Sequence, residues 1–166
     1  MQDKLNQSLI REKIAYEDFK KLYKLKDVNY NTLIVTNRKD YLTKDWTAKD
    51  YLSDIVYWHE SFARNISDVS ANRETNEIKL SLCDATIQAI TENKNCSINT
   101  LLRRLTKAQK TIEAHILNND IGSIPYRRGS REYSRIEYLD IRTSEFGWHF
   151  WSVVESFAGS NKKPSQ

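Results

Sequence analysis

The sequence predicts an all-α fold, and three observations carry that expectation. Apolar residues recur at spacings of three and four through most of the chain, the period of a helix with one buried side. Two stretches open with a full start signal, a capping residue followed three positions on by an acid. The only prolines, Pro125 and Pro164, lie outside every periodic segment, so none interrupts a helix.

The clearest element begins at Trp46. In WTAKDYLSDIVYWHESFARNI, Thr47 is placed as N-cap with Asp50 as a shortened capping box, and Trp46 and Tyr51 can close a hydrophobic staple. Ala48, Leu52, Ile55, His59, Phe62 and Ile66 then fall on one side of a helix running from Thr47 to about Ile66. His59 therefore faces inward, where an imidazole needs a partner, a ligand or a cavity.

Before this element, residues from about Asp3 to Lys26 read as a first helix. Leu5, Leu9, Tyr16, Phe19 and Tyr23 line one face, and Ile10, Ile14, Leu22 and Leu25 form a second stripe that predicts packing against two neighbours, as in a bundle. The stretch 27–45, dotted with Asn29, Asn31, Asn37 and Asp40, reads as a long connection, because the patch Leu33, Ile34 and Val35 has no second β-like run to pair with. Beyond Ile66, the polar run to Asn76 marks another connection. A helical segment from about Glu77 to Thr91 follows, with Ile78, Leu82, Ala85 and Ala89 on its face and Cys83 beside them as a small buried hydrophobe.

Ser97 can cap the next helix, whose face carries Leu101, Leu105, Ala108, Ile112 and, near its end, His115. Residues 120–133 read as an ordered loop with Gly122, Pro125 and Gly129. The last helix opens on Ser134 and Glu137, with Tyr133 and Tyr138 as staple, and buries Leu139, Phe146, Phe150, Val153 and Phe157 before Gly159 and Ser160 stop it. One domain over residues 1–159 with a mobile polar tail over 160–166 is expected, and the length suffices for a core without metal or disulfide staples.

Composition narrows the function classes. A net charge of +4, from 26 basic and 22 acidic residues, lacks the one-sided balance of a nucleic-acid binder. Arg103, Arg104, Lys107 and Lys110 read as a solvated helix face, and Arg127, Arg128 and Arg131 as a charged loop. Cys83 and Cys96 are too few and too far apart for a zinc or disulfide framework. No signal peptide and no apolar run of roughly 18 residues occurs, so a reduced, cytoplasmic setting away from membranes is expected.

On the last helix a polar row, Tyr138, Arg142, Glu145 and His149, runs beside the apolar face. It is either a salt-bridge ladder between Arg142 and Glu145 or the wall of a cleft opposite His59, in which Glu145 and His149 share a proton or a metal ion. Aromatic residues crowd both helices, Trp58 and Phe62 among them. Aromatic walls with a few convergent polar groups are how small-molecule sites are built.

These stretches, WTAKDYLSDIVYWHESFARNI, SINTLLRRLTKAQKTIEAHI and GWHFWSVV, resemble the ClbS/DfsB family of DinB-like four-helix bundles. The resemblance spans about Gln7 to Phe157, and Trp46, Lys49, Asp50, Trp58, His59 and Glu60 are its most specific letters. It implies an up-down-down-up bundle with a pocket between the helices of His59 and His149. It also implies self-protection chemistry, in which water opens the reactive ring of an electrophilic metabolite.

Many DinB-like proteins hold a divalent metal on three histidines, one at the position of His59 and two on the last helix. Here only His149 matches on that helix, with Glu145 four residues before and Val153 four after. The expectation is thus no cofactor, or one zinc, nickel or manganese ion on His59, Glu145 and His149. Ring-opening needs a base and a donor for the leaving side. His59 or His149 could be the base, Glu145 could orient an imidazole, Tyr138 or Arg142 could donate, and Trp58 and Phe62 would contact the substrate. The alternatives are a metal-dependent DinB-like transferase or hydrolase, and a non-catalytic bundle that binds a partner or dimerises through Trp148 and Trp151, which lie off the apolar stripe.

Overall fold

The computed structural model describes residues 2–35 and 46–160, and the parts of the expected connection and tail at 36–45 and 161–166 lie outside them. The fold is all-α, with five helices among the described residues: α1 (Gln2–Leu22), α2 (Ala48–Ser70), α3 (Leu82–Glu92), α4 (Ile98–His115) and α5 (Arg135–Ser160). Four are long and α3 is short. Among the described residues there is no strand beyond isolated bridges such as Ile34 with Thr47 and Ile124 with Tyr133. Among the described residues no helix is long and apolar enough to cross a membrane.

The helix starts follow their sequence signals. The Thr47 hydroxyl accepts from the Asp50 amide and the Asp50 carboxylate accepts from the Thr47 amide at 2.8 Å, which closes the capping box, and Trp46 stands edge-on to Tyr51 at 5.7 Å. Ser134 and Glu137 exchange the same pair of bonds at the start of α5. Ser81 and Ser97 cap α3 and α4.

The helix ends differ from the expected ones. α2 continues to Ser70, because the residue able to reverse the chain is Asn72, at φ 51°, which lets Arg73 N–H reach the Asp68 carbonyl and Asn72 N–H the Val69 carbonyl. α1 stops at Leu22, where the Tyr30 hydroxyl donates to the carbonyl of Leu22 and accepts from the amide of Leu25. α3 begins only at Leu82, behind the Ser81 cap.

Contacts give the helices their directions. Glu60 with Arg104 and Ser70 with His115 run the same way along α2 and α4, as Arg11 with Asp140 and Phe19 with Phe146 do along α1 and α5. α1 opposes α4 through Lys13 with Glu113 and Tyr16 with Thr106, and α2 opposes α5 through Asp54 with His149 and Phe62 with Tyr138. α3 packs on α2, and the 116–134 segment folds over one end with Ile121 and Ile124 buried.

The α2 stripe is the centre of the core: Ala48, Leu52, Ile55, His59, Phe62 and Ile66 are all fully buried. Of the second stripe expected on α1 only Leu22 is buried, while Ile10, Ile14 and Leu25 stand half-exposed. α1 touches its neighbours along one side only, the side of Leu5, Tyr16 and Phe19, so only that side is removed from water. Leu82 is likewise exposed, because it sits in the first turn of a short helix that buries only Ala85 and Ala89. Cys83 is partly buried, not enclosed.

Candidate functional site in the seam between α2 and α5

The polar row of α5 lies against α2 and is buried for most of its length. Tyr138 and Arg142 have no exposed surface, His149 is 2% exposed, and the Glu145 side chain keeps 30%. Arg142 enters the core because it takes the slot four residues after Tyr138 and four before Phe146, both core positions. Its guanidinium donates to Glu145 at 2.5 Å and to the carbonyl of Ile55 at 3.3 Å, and lies 5.3 Å from the Phe146 ring. The ladder and the cleft wall are thus one structure: the Arg142–Glu145 pair is an i,i+3 ladder whose cation is inside the protein.

Two polar clusters flank Arg142. On the inner side, His59 Nε2 meets Gln109 Oε1 at 2.7 Å, and Gln109 donates to Glu12 at 2.9 Å and Glu113 at 3.1 Å. Burial holds His59 well below the ordinary imidazole value, and the charge of Arg142 pushes the same way, so the ring is neutral. Burial also pushes Glu12 up to about 7, against the opposing pulls of the Gln109 amide and Arg142. On the outer side, His149 Nδ1 lies 2.8 Å from the Glu145 carbonyl and Nε2 3.3 Å from Asp54, whose other oxygen takes the Thr86 hydroxyl at 2.8 Å.

Aromatic rings close the seam. Phe62 stacks on Tyr138 at 3.8 Å, and Trp58 stacks on Tyr126 at 5.1 Å. Burial raises the phenols of both Tyr126 and Tyr138, and the nearby Glu145 carboxylate adds to it. Both hydroxyls are therefore held as donors.

The expected site residues are thus partly gathered. Tyr138, Arg142, Glu145, Trp58 and Phe62 line one seam, while His59 and His149 turn to different partners, His59 to Gln109 and His149 to Asp54 and the Glu145 carbonyl. His59, Glu145 and His149 do not converge, and among the described residues no group of three or more His, Cys, Asp or Glu side chains gathers as a ligand set.

Several buried polar atoms of this region have no hydrogen-bond partner among the described residues: His59 Nδ1, Tyr138 Oη, Arg142 Nε, Glu12 Oε1 and Asn65 Oδ1. Each such atom costs about 1–3 kcal/mol, which an apolar seam of the same shape would not.

Outside the seam, a groove of about 450 Å³ lined by Arg131, Tyr133, Glu137, Asp140, Ile141, Ser144 and Glu145 leads to the exposed side of Glu145. Another, of about 330 Å³, lies on the α2–α4 face around Ala63, Arg64, Arg104 and Lys107. Arg104 there is not a free surface cation: it clasps both oxygens of Glu60 at 2.8 and 2.7 Å and reaches Asn93.

Sequence reading missed Glu12, Gln109, Asp54 and Tyr126. For Glu12 and Gln109 a signal existed. Gln109 falls four residues after Leu105 and three before Ile112, and Glu12 four before Tyr16 and seven before Phe19, so each is a polar residue on a buried face, as His59 is. Asp54 and Tyr126 carry no such mark.

No protein-family model, curated protein or solved structure matches this chain.

Proposed function

We propose that this chain is a cytoplasmic small-molecule-binding bundle of the DinB-like, ClbS/DfsB type, and that it sequesters or hydrolyses a reactive electrophile in the seam between α2 and α5. The observation that carries the reading is Arg142, a fully buried cation with an open Nε, flanked by a neutral His59 and by the unpartnered hydroxyl of Tyr138. The relative directions of the four long helices support the same kinship.

A base and charge-accepting donors in a water-poor site are what ring-opening requires. The nitrogen of His59 takes a proton from water as its oxygen bonds to the strained carbon. A ring bond of that carbon breaks, carbon–oxygen in an epoxide and carbon–carbon in an activated cyclopropane; Arg142 and Tyr138 donate to the atom that leaves with the electron pair, and that atom takes up a proton as His59 gives up its own, so the product is one water heavier. The ligand enters by the groove at Glu145, whose partly exposed carboxylate swings aside from Arg142.

The test is a panel of strained-ring electrophiles, epoxides and activated cyclopropanes, with mass spectrometry for the product one water heavier. Wild-type protein is expected to give that product or to be thermally stabilised by the intact ring compound. His59→Ala and His149→Ala are expected to fold and to lose the activity. Activity unchanged in both would remove the site, and a wild type that neither reacts nor is stabilised would remove the function.

Trp148 and Trp151, 47% and 62% exposed on α5, favour a second reading in which the bundle also pairs with a partner or with itself. A dimer by light scattering that Trp148→Ala weakens would support it. A monomer at high concentration would contradict it.

A further inference from the structure

His59 is sealed in the bundle centre, stacked at 6.2 Å against Tyr16 and edge-on to Phe146 at 5.2 Å. Among the described residues its only hydrogen-bond partner is Gln109, and the carboxamide of Gln109 is not free to turn. Its Nε2 donates to a carboxyl oxygen of Glu12 on α1 and to one carboxylate oxygen of Glu113 on its own helix, whose other oxygen pairs with Lys13 at 3.2 Å. At pH 8, above the titration of Glu12 at about 7, both acids are ionised, and reversing the amide would set its oxygen against two carboxylates and lose both bonds. The amide oxygen therefore faces His59, and because an amide oxygen can only accept, Nε2 of His59 carries the proton. A neutral ring has one proton, so Nδ1 keeps its lone pair, and Nδ1 is the buried atom without a partner.

From this geometry we infer that Glu12 and Gln109 are positioning residues, a chain reaching from α1 through α4 that fixes His59 as the Nε2–H tautomer and leaves Nδ1 as its basic atom. What Nδ1 acts on rests on the functional reading above; the tautomer does not. The arrangement parallels the way a hydrogen bond on one imidazole nitrogen sets the role of the other in acid–base sites. It also explains why two polar residues occupy core positions of helices otherwise free to be apolar there.

The experiment is a long-range proton–nitrogen correlation spectrum of protein labelled in its three histidines, recorded without ligand at pH 8, with His59 assigned by its loss in His59→Ala. Wild type is expected to show a protonated Nε2 and a bare Nδ1. Gln109→Met, which keeps the volume and removes the acceptor, is expected to collapse that difference towards a mixture of tautomers. Glu12→Gln still offers an oxygen to the Gln109 amide and is expected to keep the wild-type pattern. A wild-type His59 protonated on Nδ1, or on both nitrogens, would overturn the inference, as would an unchanged His59 in Gln109→Met. If Gln109→Met fails to fold, the wild-type spectrum decides alone. Because no ligand is present, a seam that turns over nothing leaves this result standing, whereas turnover that survives both His59→Ala and His149→Ala ends the functional reading alone.

Discussion

Replacing Glu12 with glutamine should change how stability depends on pH, and the size of the change follows from the buried carboxyl. Glu12 titrates at about 7 in the folded protein against an ordinary value of 4.5. Between those limits the folded state holds more protons than the unfolded chain, so the Glu12 contribution to stability falls as pH rises through that window. The full loss, at about 1.4 kcal/mol per pH unit, is about 3 kcal/mol. His59 works in the opposite sense. Held neutral in the fold, it loses stability relative to the unfolded chain as pH drops below the ordinary imidazole value of 6.5. From 4.5 to 6.5 the two slopes oppose each other in the wild type. Glu12→Gln removes the first and uncovers the second, so the variant should gain stability steadily with pH up to about 6.5. Relative to wild type, it should gain about 3 kcal/mol between pH 4 and pH 8. Urea unfolding at half-unit pH steps on both proteins measures this directly. A difference that stays constant with pH would mean that Glu12 titrates as an ordinary carboxylate and would refute the buried cluster.

Arg142→Met removes the charge that lowers both Glu12 and His59, so both groups should titrate higher; nuclear magnetic resonance titration of the two side chains checks it, and unmoved values would place Arg142 elsewhere. Thr47→Ala deletes the hydroxyl that receives the Asp50 amide and should cost about 1 kcal/mol in urea unfolding. A loss of a few tenths or less would mean that the capping box does not hold the start of α2.

The fold was legible wherever periodicity and end signals agree. Thr47 with Asp50 and the six-residue stripe of α2 identify a helix and its buried side, because spacing on a helix dictates which residues share a face. The same argument misleads on α1: Ile10 and Ile14 are spaced as well as Leu5 and Tyr16, but burial needs a neighbour, and no spacing within one helix says how many neighbours it has. The end of α2 escaped because serines and aspartates read as loop, whereas what stops a helix is a residue able to reverse the chain, here Asn72.

At the candidate site, the polar row on α5 and the inward His59 were readable as polar members of buried faces. Their partners were not, since pairing His59 with Gln109 and His149 with Asp54 joins residues fifty and ninety-five positions apart. Such pairings depend on rotation and offset between helices. The two histidines look equivalent in the sequence, and only packing shows that they belong to separate hydrogen-bonded clusters.

The account stands most directly on whether a small electrophile occupies the α2–α5 seam. Titrating the isotope-labelled protein with styrene oxide, an epoxide carrying an aromatic ring, while following His59, the Arg142 guanidinium and the α2–α4 face in one set of spectra, tests this. The account predicts that His59 and Arg142 respond together and saturably, with the residues around Arg104 and Lys107 unmoved. Perturbation confined to the α2–α4 groove, or none at the seam, would contradict it.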